Sequence, residues 1–258
     1  MSTDLANEYA GRSVLISGGS SGVGAELGRL LAGLGARVTL MGRARDRLDA
    51  VVSEIEAAGG KALSVAGDVR RSADVDAAVA KAIDTFGPLD IAIANAGIGD
   101  RCPLERLDDE TWNAYIDTNL TGAFWVCRAA GLHMRENGGG SILTVASGLG
   151  LVGMAGQVAY CASKGGMVLM TKALAAELAP TVRVNCFAPG GIETPMTETD
   201  FGVTGDAAEA RRTALVRVPL GRLAAVGEVA RAIAWTASGA FSYATGSIVS
   251  MDGGTTAI

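Results

Sequence analysis

Seven short apolar runs without polar alternation recur along this chain, separated by stretches with helical periodicity. The runs are SVLIS (13–17), RVTLM (37–41), ALSVAG (62–67), LDIAIAN (89–95), SILTVAS (141–147), VRVNCFA (182–188) and SIVSM (247–251). Strands rich in Val, Ile and Leu on both faces are those of a parallel sheet covered by helices on either side. Between them the spacing predicts helices over 22–34, 45–58, 73–86, 110–136, 157–179 and 228–238; in the second, Leu48, Val51, Val52 and Ile55 share a face. Repeated βα alternation with no Pro/Ser-rich linker predicts one doubly wound α/β domain over residues 1–258, its seven-stranded parallel sheet carrying helices on both faces. The least regular part, about 195–219, reads TETDFGVTGD and then a short helical stretch. A connection of that length after the sixth strand is expected to be a lid.

Composition removes several function classes. A net charge of −5 with no long run of either sign offers no footprint for nucleic acid. The 36 glycines follow no period, which excludes collagen-like structure. Cys102, Cys127, Cys161 and Cys186 lack CxxC or zinc-ligand spacing and read as small buried hydrophobes in a reducing compartment. With His133 the single histidine, a histidine metal cluster is impossible, and no metal site is expected. The polar start MSTDLANEYAG lacks the apolar core of a signal peptide. The uncharged stretches 137–163 and 232–251 are interrupted by glycine, serine and threonine, so buried strand plus loop explains them better than a membrane span. The expectation is a cytoplasmic protein with neither a membrane nor a nucleic-acid partner.

After the first strand the chain reads Ser17-Gly18-Gly19-Ser20-Ser21-Gly22-Val23-Gly24. A helix beginning there directs unpaired N–H groups and its positive dipole end at the loop, which favours a pyrophosphate. Glycines let the phosphate approach the backbone and the helix pack close to the strand. The second strand ends Met41-Gly42-Arg43, where a carboxylate would grip the ribose 2′-hydroxyl of NAD. Gly42 removes that carboxylate and Arg43 suits a 2′-phosphate, so NADP(H) is favoured and NAD(H) is the alternative. Gly18-Gly19-Ser20-Ser21-Gly22 also satisfies G-x-S-x-G, a hydrolase nucleophile elbow. Too little sheet precedes Ser20 for that fold, and His133 sits in a helical stretch, AAGLHMRE.

Tyr160 and Lys164 are spaced i, i+4 and so share a helix face. A free tyrosine has a pKa of about 10. A lysine cation ~4–5 Å away, at an effective dielectric of about 20, favours phenolate by roughly 3–4 kcal/mol, or about 2–3 pKa units. That makes Tyr160 a usable general acid or base. Ser147 ends the preceding buried strand, where a strand C-terminus opens onto the ligand crevice.

With these residues in place the sequence resembles the short-chain dehydrogenase/reductase family over nearly its whole length, with a Rossmann-type fold implied. The resemblance rests on SGGSSGVG (Ser17 where threonine is usual), Asp68-Val69, Ala94-Asn95-Ala96-Gly97, Asn119 in DTNLTGAF, the set Ser147, Tyr160 and Lys164, and Pro189-Gly190 with Ile192 and Thr194. It implies a cofactor site of Gly18, Ser20, Ser21, Gly22, Val23, Gly24, Arg43, Asp68, Val69, Asn95, Ala96, Gly97, Tyr160, Lys164, Pro189, Gly190, Ile192 and Thr194. Tyr160 would donate the proton in carbonyl reduction and Ser147 would hydrogen-bond the substrate oxygen. Lys164 would lower the tyrosine pKa and hold the nicotinamide ribose, and Asn119 would hold a water in a proton relay.

Candidate pocket residues are Gly148, Leu149, Leu151, Val152 and Met154 after Ser147, Gln157 before Tyr160, and Met196, Phe201 and Val203 in the lid; Ser147, Leu149, Met154, Gln157, Tyr160 and Met196 are the expected substrate contacts. Their apolar, uncharged character suits a neutral hydrophobic ketone or alcohol. A 3-oxoacyl-carrier-protein reductase is the alternative, although basic residues for an acidic carrier are sparse around 137–140 and 175–177. A non-catalytic NADP-sensing regulator is the alternative of another class, and retention of both Tyr160 and Lys164 argues against it. The resemblance also implies a homotetramer built on the two long helices, with Ala123, Phe124, Cys127, Met167, Met170 and Leu174 as contact candidates. Trp112, Trp125 and Trp235 are expected to serve packing, and His133 to be an ordinary helix residue.

Overall fold

The computed structural model describes residues 5–202 and 206–257, the side chains at 200–202 and 207 apart. After a short helix α1 (Leu5–Tyr9), strands and helices alternate as β1 (Ser13–Ser17), α2 (Gly22–Gly33), β2 (Arg37–Gly42), α3 (Arg45–Ala57), β3 (Lys61–Ala66), α4 (Ser72–Phe86) and β4 (Ile91–Ala94). The chain continues through α5 (Asp109–Tyr115), α6 (Gly122–Glu136), β5 (Gly140–Val145), α7 (Val158–Leu178) and β6 (Val182–Pro189). Helices α8 (Pro195–Gly202), α9 (Ala207–Val216) and α10 (Val226–Ala237) precede the last strand, β7 (Ile248–Met251).

All seven strands pair in parallel, in the order β3-β2-β1-β4-β5-β6-β7. The apolar runs are uninterrupted because successive strand residues face opposite layers and both layers are dry. Val14 and Ile16 pack with Leu27, Leu31, Leu48, Val229 and Ile233 on one side of the sheet. Leu15, between them, joins Val75, Val79, Val126, Met134 and Met167 on the other. Full burial of each such side chain contributes about 1.5–3 kcal/mol. Strand order reverses between β1 and β4, and the carboxyl ends of those two neighbours open a crevice. Among the described residues no helix is long and apolar enough to cross a membrane.

Two element assignments from the sequence are corrected. The stretch 110–136 is not one regular helix: a π-helical segment, Ile116–Thr121, separates α5 from α6 and contains Asn119. The chain stays helical through it, so the sequence reads as one continuous helix. The stretch after Thr194 is helical over Pro195–Gly202 as well as at its end, over Ala207–Val216. Proline suits a first helical position, and Thr194 Oγ1 accepts the Thr197 N–H at 3.4 Å as a cap. Val203 and the side chain of Phe201 lie outside the described residues.

Other side chains are more varied than expected. Cys127 and Cys186 are buried, whereas Cys102 and Cys161 are half-buried. Ala123, Cys127 and Met167 belong to the core of this chain, not to an outward face; on the same helices Leu132, Val158 and Leu169 are the exposed large apolar residues. Trp125 packs on Phe124 beneath the Arg128 guanidinium, while Trp112 and Trp235 remain partly exposed. His133 Nε2 accepts the Leu89 N–H at 3.3 Å, tying α6 to the entry of β4.

Candidate active site

The crevice is a cavity of about 810 Å³ that runs from the exits of β1, β2 and β3 across to those of β5 and β6. At one end lies the glycine loop. Gly18 (φ +73°) packs so tightly that a Cβ there would stand 2.8 Å from Ala96 Cα; one on Gly24 would stand 2.2 Å from the Gly18 carbonyl oxygen. Ser17 Oγ accepts the N–H groups of Asn95 and Ala96, both at 3.1 Å, which is why a hydroxyl residue closes β1. The Asn95 amide donates back to Ser17 O at 3.1 Å, locking the loop to β4. Helix α2 starts uncapped: Ser21 makes no side-chain cap bond and its first turn holds no acidic residue. An anion seated there would satisfy N–H groups the chain itself leaves open.

Replacing Gly24 by alanine therefore drives a methyl group into the loop backbone. The expected result is a rise of roughly tenfold or more in the dinucleotide dissociation constant, with a lower melting temperature. Calorimetric titration and thermal unfolding measure both; unchanged values would remove the loop from the binding site.

The rim beyond the loop is basic. Arg43 and Arg47 both line the cavity, Arg47 having been missed because it sits a helix turn past the motif. A Cβ on Gly42 would meet only ordinary contacts, 3.5 Å from Ser20 Oγ, so packing does not forbid a side chain there. Asp68 is held by the Arg70 guanidinium at 2.6–3.1 Å, which keeps its carboxyl below the usual carboxylate range, with a smaller pull from Arg43. Val69 is buried against Gly122.

At the other end Ser147, Tyr160 and Lys164 converge. Ser147 follows β5, its Oγ accepting the Leu149 N–H at 3.1 Å. The turn after it rests on α7: a Cβ on Gly150 would be 2.8 Å from the Lys164 carbonyl oxygen, so this glycine fixes Ser147 relative to the helix. Lys164 is buried, and its Nζ donates to Val145 O at 2.8 Å and stands 5.8 Å from the Tyr160 ring centroid. Burial lowers the Lys164 pKa to about 8. Tyr160 meets Tyr115 edge to face, with centroids 6.4 Å apart.

Asn119 does not line the cavity. It is fully buried, its Oδ1 accepting the Ile98 N–H at 2.8 Å and its amide donating to Ile98 O and Ser163 Oγ. A Cβ on Gly97 would lie 3.2 Å from Asn119 Oδ1 and 3.5 Å from Lys164 Nζ, so the two residues face each other across that glycine.

The remaining cofactor candidates, Pro189, Gly190, Ile192 and Thr194, line the cavity, as do Leu149, Met154, Gln157 and Met196. Leu151 and Val152 do not; the turn carries them to the surface, 40% and 36% exposed. The uncharged character expected of the substrate end is also corrected, because Arg101 lines it. No motif surrounds Arg101, and nothing local in the sequence distinguishes it from a solvated loop residue.

A family profile described as short chain dehydrogenase matches residues 12–202. The chain belongs to the short-chain dehydrogenase/reductase family. It is 40% identical over 256 residues to the cis-4-hydroxycyclohexanecarboxylate dehydrogenase of Sinomonas cyclohexanicum, covering 98% of this chain and 100% of that one. It is likewise 40% identical over 245 residues to the 3-oxoacyl-[acyl-carrier-protein] reductase of Thermotoga maritima, covering 95% and 97%. A crystal structure of a short-chain type dehydrogenase/reductase from Mycobacterium marinum superimposes with a TM-score of 0.91 at 34% identity, over 99% of this chain and 100% of that one. Membership makes this chain an oxidoreductase acting on alcohol and ketone groups.

Proposed function

We propose that this short-chain dehydrogenase/reductase interconverts a secondary alcohol and a ketone on a compact, largely apolar ring, with NADP(H) preferred over NAD(H). One observation supports it above the others: Ser147, Tyr160 and Lys164 meet at one end of a cavity whose other end is the uncapped α2 N-terminus and the basic Arg43–Arg47 rim. The nicotinamide, when bound, supplies or accepts the hydride. Tyr160 holds the proton: its hydroxyl gives it to the carbonyl oxygen in reduction and recovers it from the alcohol in oxidation. Ser147 Oγ donates to the same substrate oxygen and steadies the charge that develops there. Lys164 favours the phenolate and holds the ribose. Asn119 acts as a positioning residue, fixing Ile98 and Ser163 behind Lys164.

The apolar walls formed by Leu149, Met154 and Met196 support a hydrophobic substrate body, and the Sinomonas relative acts on a hydroxylated cyclohexane. The Thermotoga relative supports acyl-carrier thioester reduction as the second reading. A homotetramer and a cytoplasmic location belong to the same proposal; the exposed Leu132 and Leu169 give α6 and α7 an apolar outer face for association. The test is nicotinamide absorbance during turnover of cyclic ketones and a β-ketoacyl thioester, with NADPH and NADH in parallel. Cyclic ketones should be reduced, and NADPH should be preferred by about tenfold or more in kcat/KM, a preference that Arg43→Ala removes. Turnover of the thioester alone would promote the second reading, and an NADH preference would overturn the role of Arg43.

A further inference from the structure

Arg101 is held at both of its neighbours. The Tyr115 hydroxyl donates to the Asp100 carbonyl, and the Tyr115 ring is the one packed edge-on to Tyr160. On the other side the Cys102 N–H donates to Gly156 O at 2.9 Å. The arginine stem lies on Gly156, where a Cβ would stand 3.1 Å from Arg101 Cγ and 3.5 Å from Cδ. Gly156 has φ +77°, so backbone conformation and close approach both call for glycine there. A guanidinium on the cavity wall is thus positioned by the same tyrosine that supports Tyr160.

That guanidinium has no partner among the described residues. Its Nε is excluded from solvent without a hydrogen bond, and among the described residues no carboxylate comes within ion-pair distance. The acidic residues that line the same cavity are engaged elsewhere. Asp206 caps α9, Glu209 pairs with Arg212, Asp252 accepts from Thr256, and Asp68 is held by Arg70. A guanidinium on the wall of a largely apolar cavity, with no carboxylate within ion-pair distance among the described residues, favours an anionic ligand.

We infer that Arg101 anchors the substrate and that the substrate carries a single carboxylate besides its reacting carbon. Arg101 lies close to the catalytic end of the cavity: a Cβ on Gly99, two residues before it, would be 3.2 Å from Tyr160 Cε2 and 3.0 Å from Met196 Sδ. The charge type follows from the donor set, since one planar guanidinium matches one carboxylate through two parallel N–H bonds. The other cavity-lining arginines stand apart from it: Arg43 and Arg47 at the dinucleotide rim, and Arg217 exposed at the end of α9.

This inference rests on the alcohol–ketone reading above. It is tested on the holoenzyme with 4-oxocyclohexanecarboxylate and its carboxamide, in the wild type, Arg101→Gln and Arg101→Lys. Wild type should favour the acid by about tenfold or more in kcat/KM, mainly through KM. Arg101→Gln should bring the acid-to-amide ratio to about one, and Arg101→Lys should restore part of it. Cyclohexanecarboxylate, which has no reacting oxygen, provides a second readout: calorimetry should show binding to the wild-type holoenzyme weakened about tenfold by Arg101→Gln. Reduction of the amide with no preference for the acid would overturn the inference and leave the alcohol–ketone reading standing. An Arg101→Gln ratio equal to wild type would do the same. Failure to reduce either compound would overturn both.

Discussion

Phenylalanine at position 160 should lower turnover by about 10²–10⁴-fold, the range that a positioned general acid or base contributes. The substitution removes one oxygen and keeps the ring, so the edge-to-face contact with Tyr115 at 6.4 Å is retained. Lys164 keeps its bond to Val145 O. What disappears is the group proposed to pass its proton to and from the substrate oxygen. Dinucleotide affinity should change by less than about tenfold, the equivalent of one neutral hydrogen bond. Steady-state kinetics with calorimetric cofactor binding separates the two effects. Turnover within tenfold of wild type would sink the assignment of Tyr160.

Methionine at position 164 should give the opposite signs for activity and stability. Burial lowers the Lys164 pKa from 10.5 to about 8, so the folded chain binds this proton less tightly than the unfolded one. Between pH 8 and 10.5 the unfolded state therefore holds more protons, and stability rises with pH across that window. Below about pH 8 the full cost of the buried cation is in force, on the order of 3 kcal/mol. The bond to Val145 O offsets about 1 kcal/mol of it. Lys164→Met should accordingly raise the melting temperature of the cofactor-free protein at pH 7 by a few degrees. Its advantage over wild type should shrink as pH climbs past 8. Turnover should fall by about two orders of magnitude or more, the loss expected when the proposed general acid/base Tyr160 loses the cation on its helix face. A lower melting temperature for the variant at pH 7 would contradict this account of the lysine.

The sheet was legible in the sequence because a strand buried on both faces leaves an unbroken apolar run. SVLIS maps onto β1 residue for residue, and RVTLM falls one residue short of β2. The loop after β1 was legible because each of its glycines answers a steric demand, most severely at Gly24. Tyr160 and Lys164 were legible because helical spacing alone puts them on one face. Asn119 was found by resemblance to a family motif, but its place behind the cavity lies in a π-helical segment that no local motif marks within an otherwise continuous helix. Leu151 and Val152 were misplaced because neighbours in sequence part company at a tight turn, here closed by the Leu151 N–H to Gly148 O. Arg101 was invisible for the converse reason. Its proposed role rests on Tyr115 and Gly156, which are distant from it in sequence, and on the absence, among the described residues, of a carboxylate within ion-pair distance.

The most direct test of the central claim follows the hydride itself. Reduced nicotinamide cofactor deuterated at its transferable position would be turned over with 4-oxocyclohexanecarboxylate, and the product alcohol examined by mass spectrometry and NMR. Direct transfer across the cavity predicts one deuterium on the carbinol carbon of every product molecule, with formation of that product lost in Tyr160→Phe. Unlabelled alcohol, or cofactor oxidation with no alcohol formed, would contradict it.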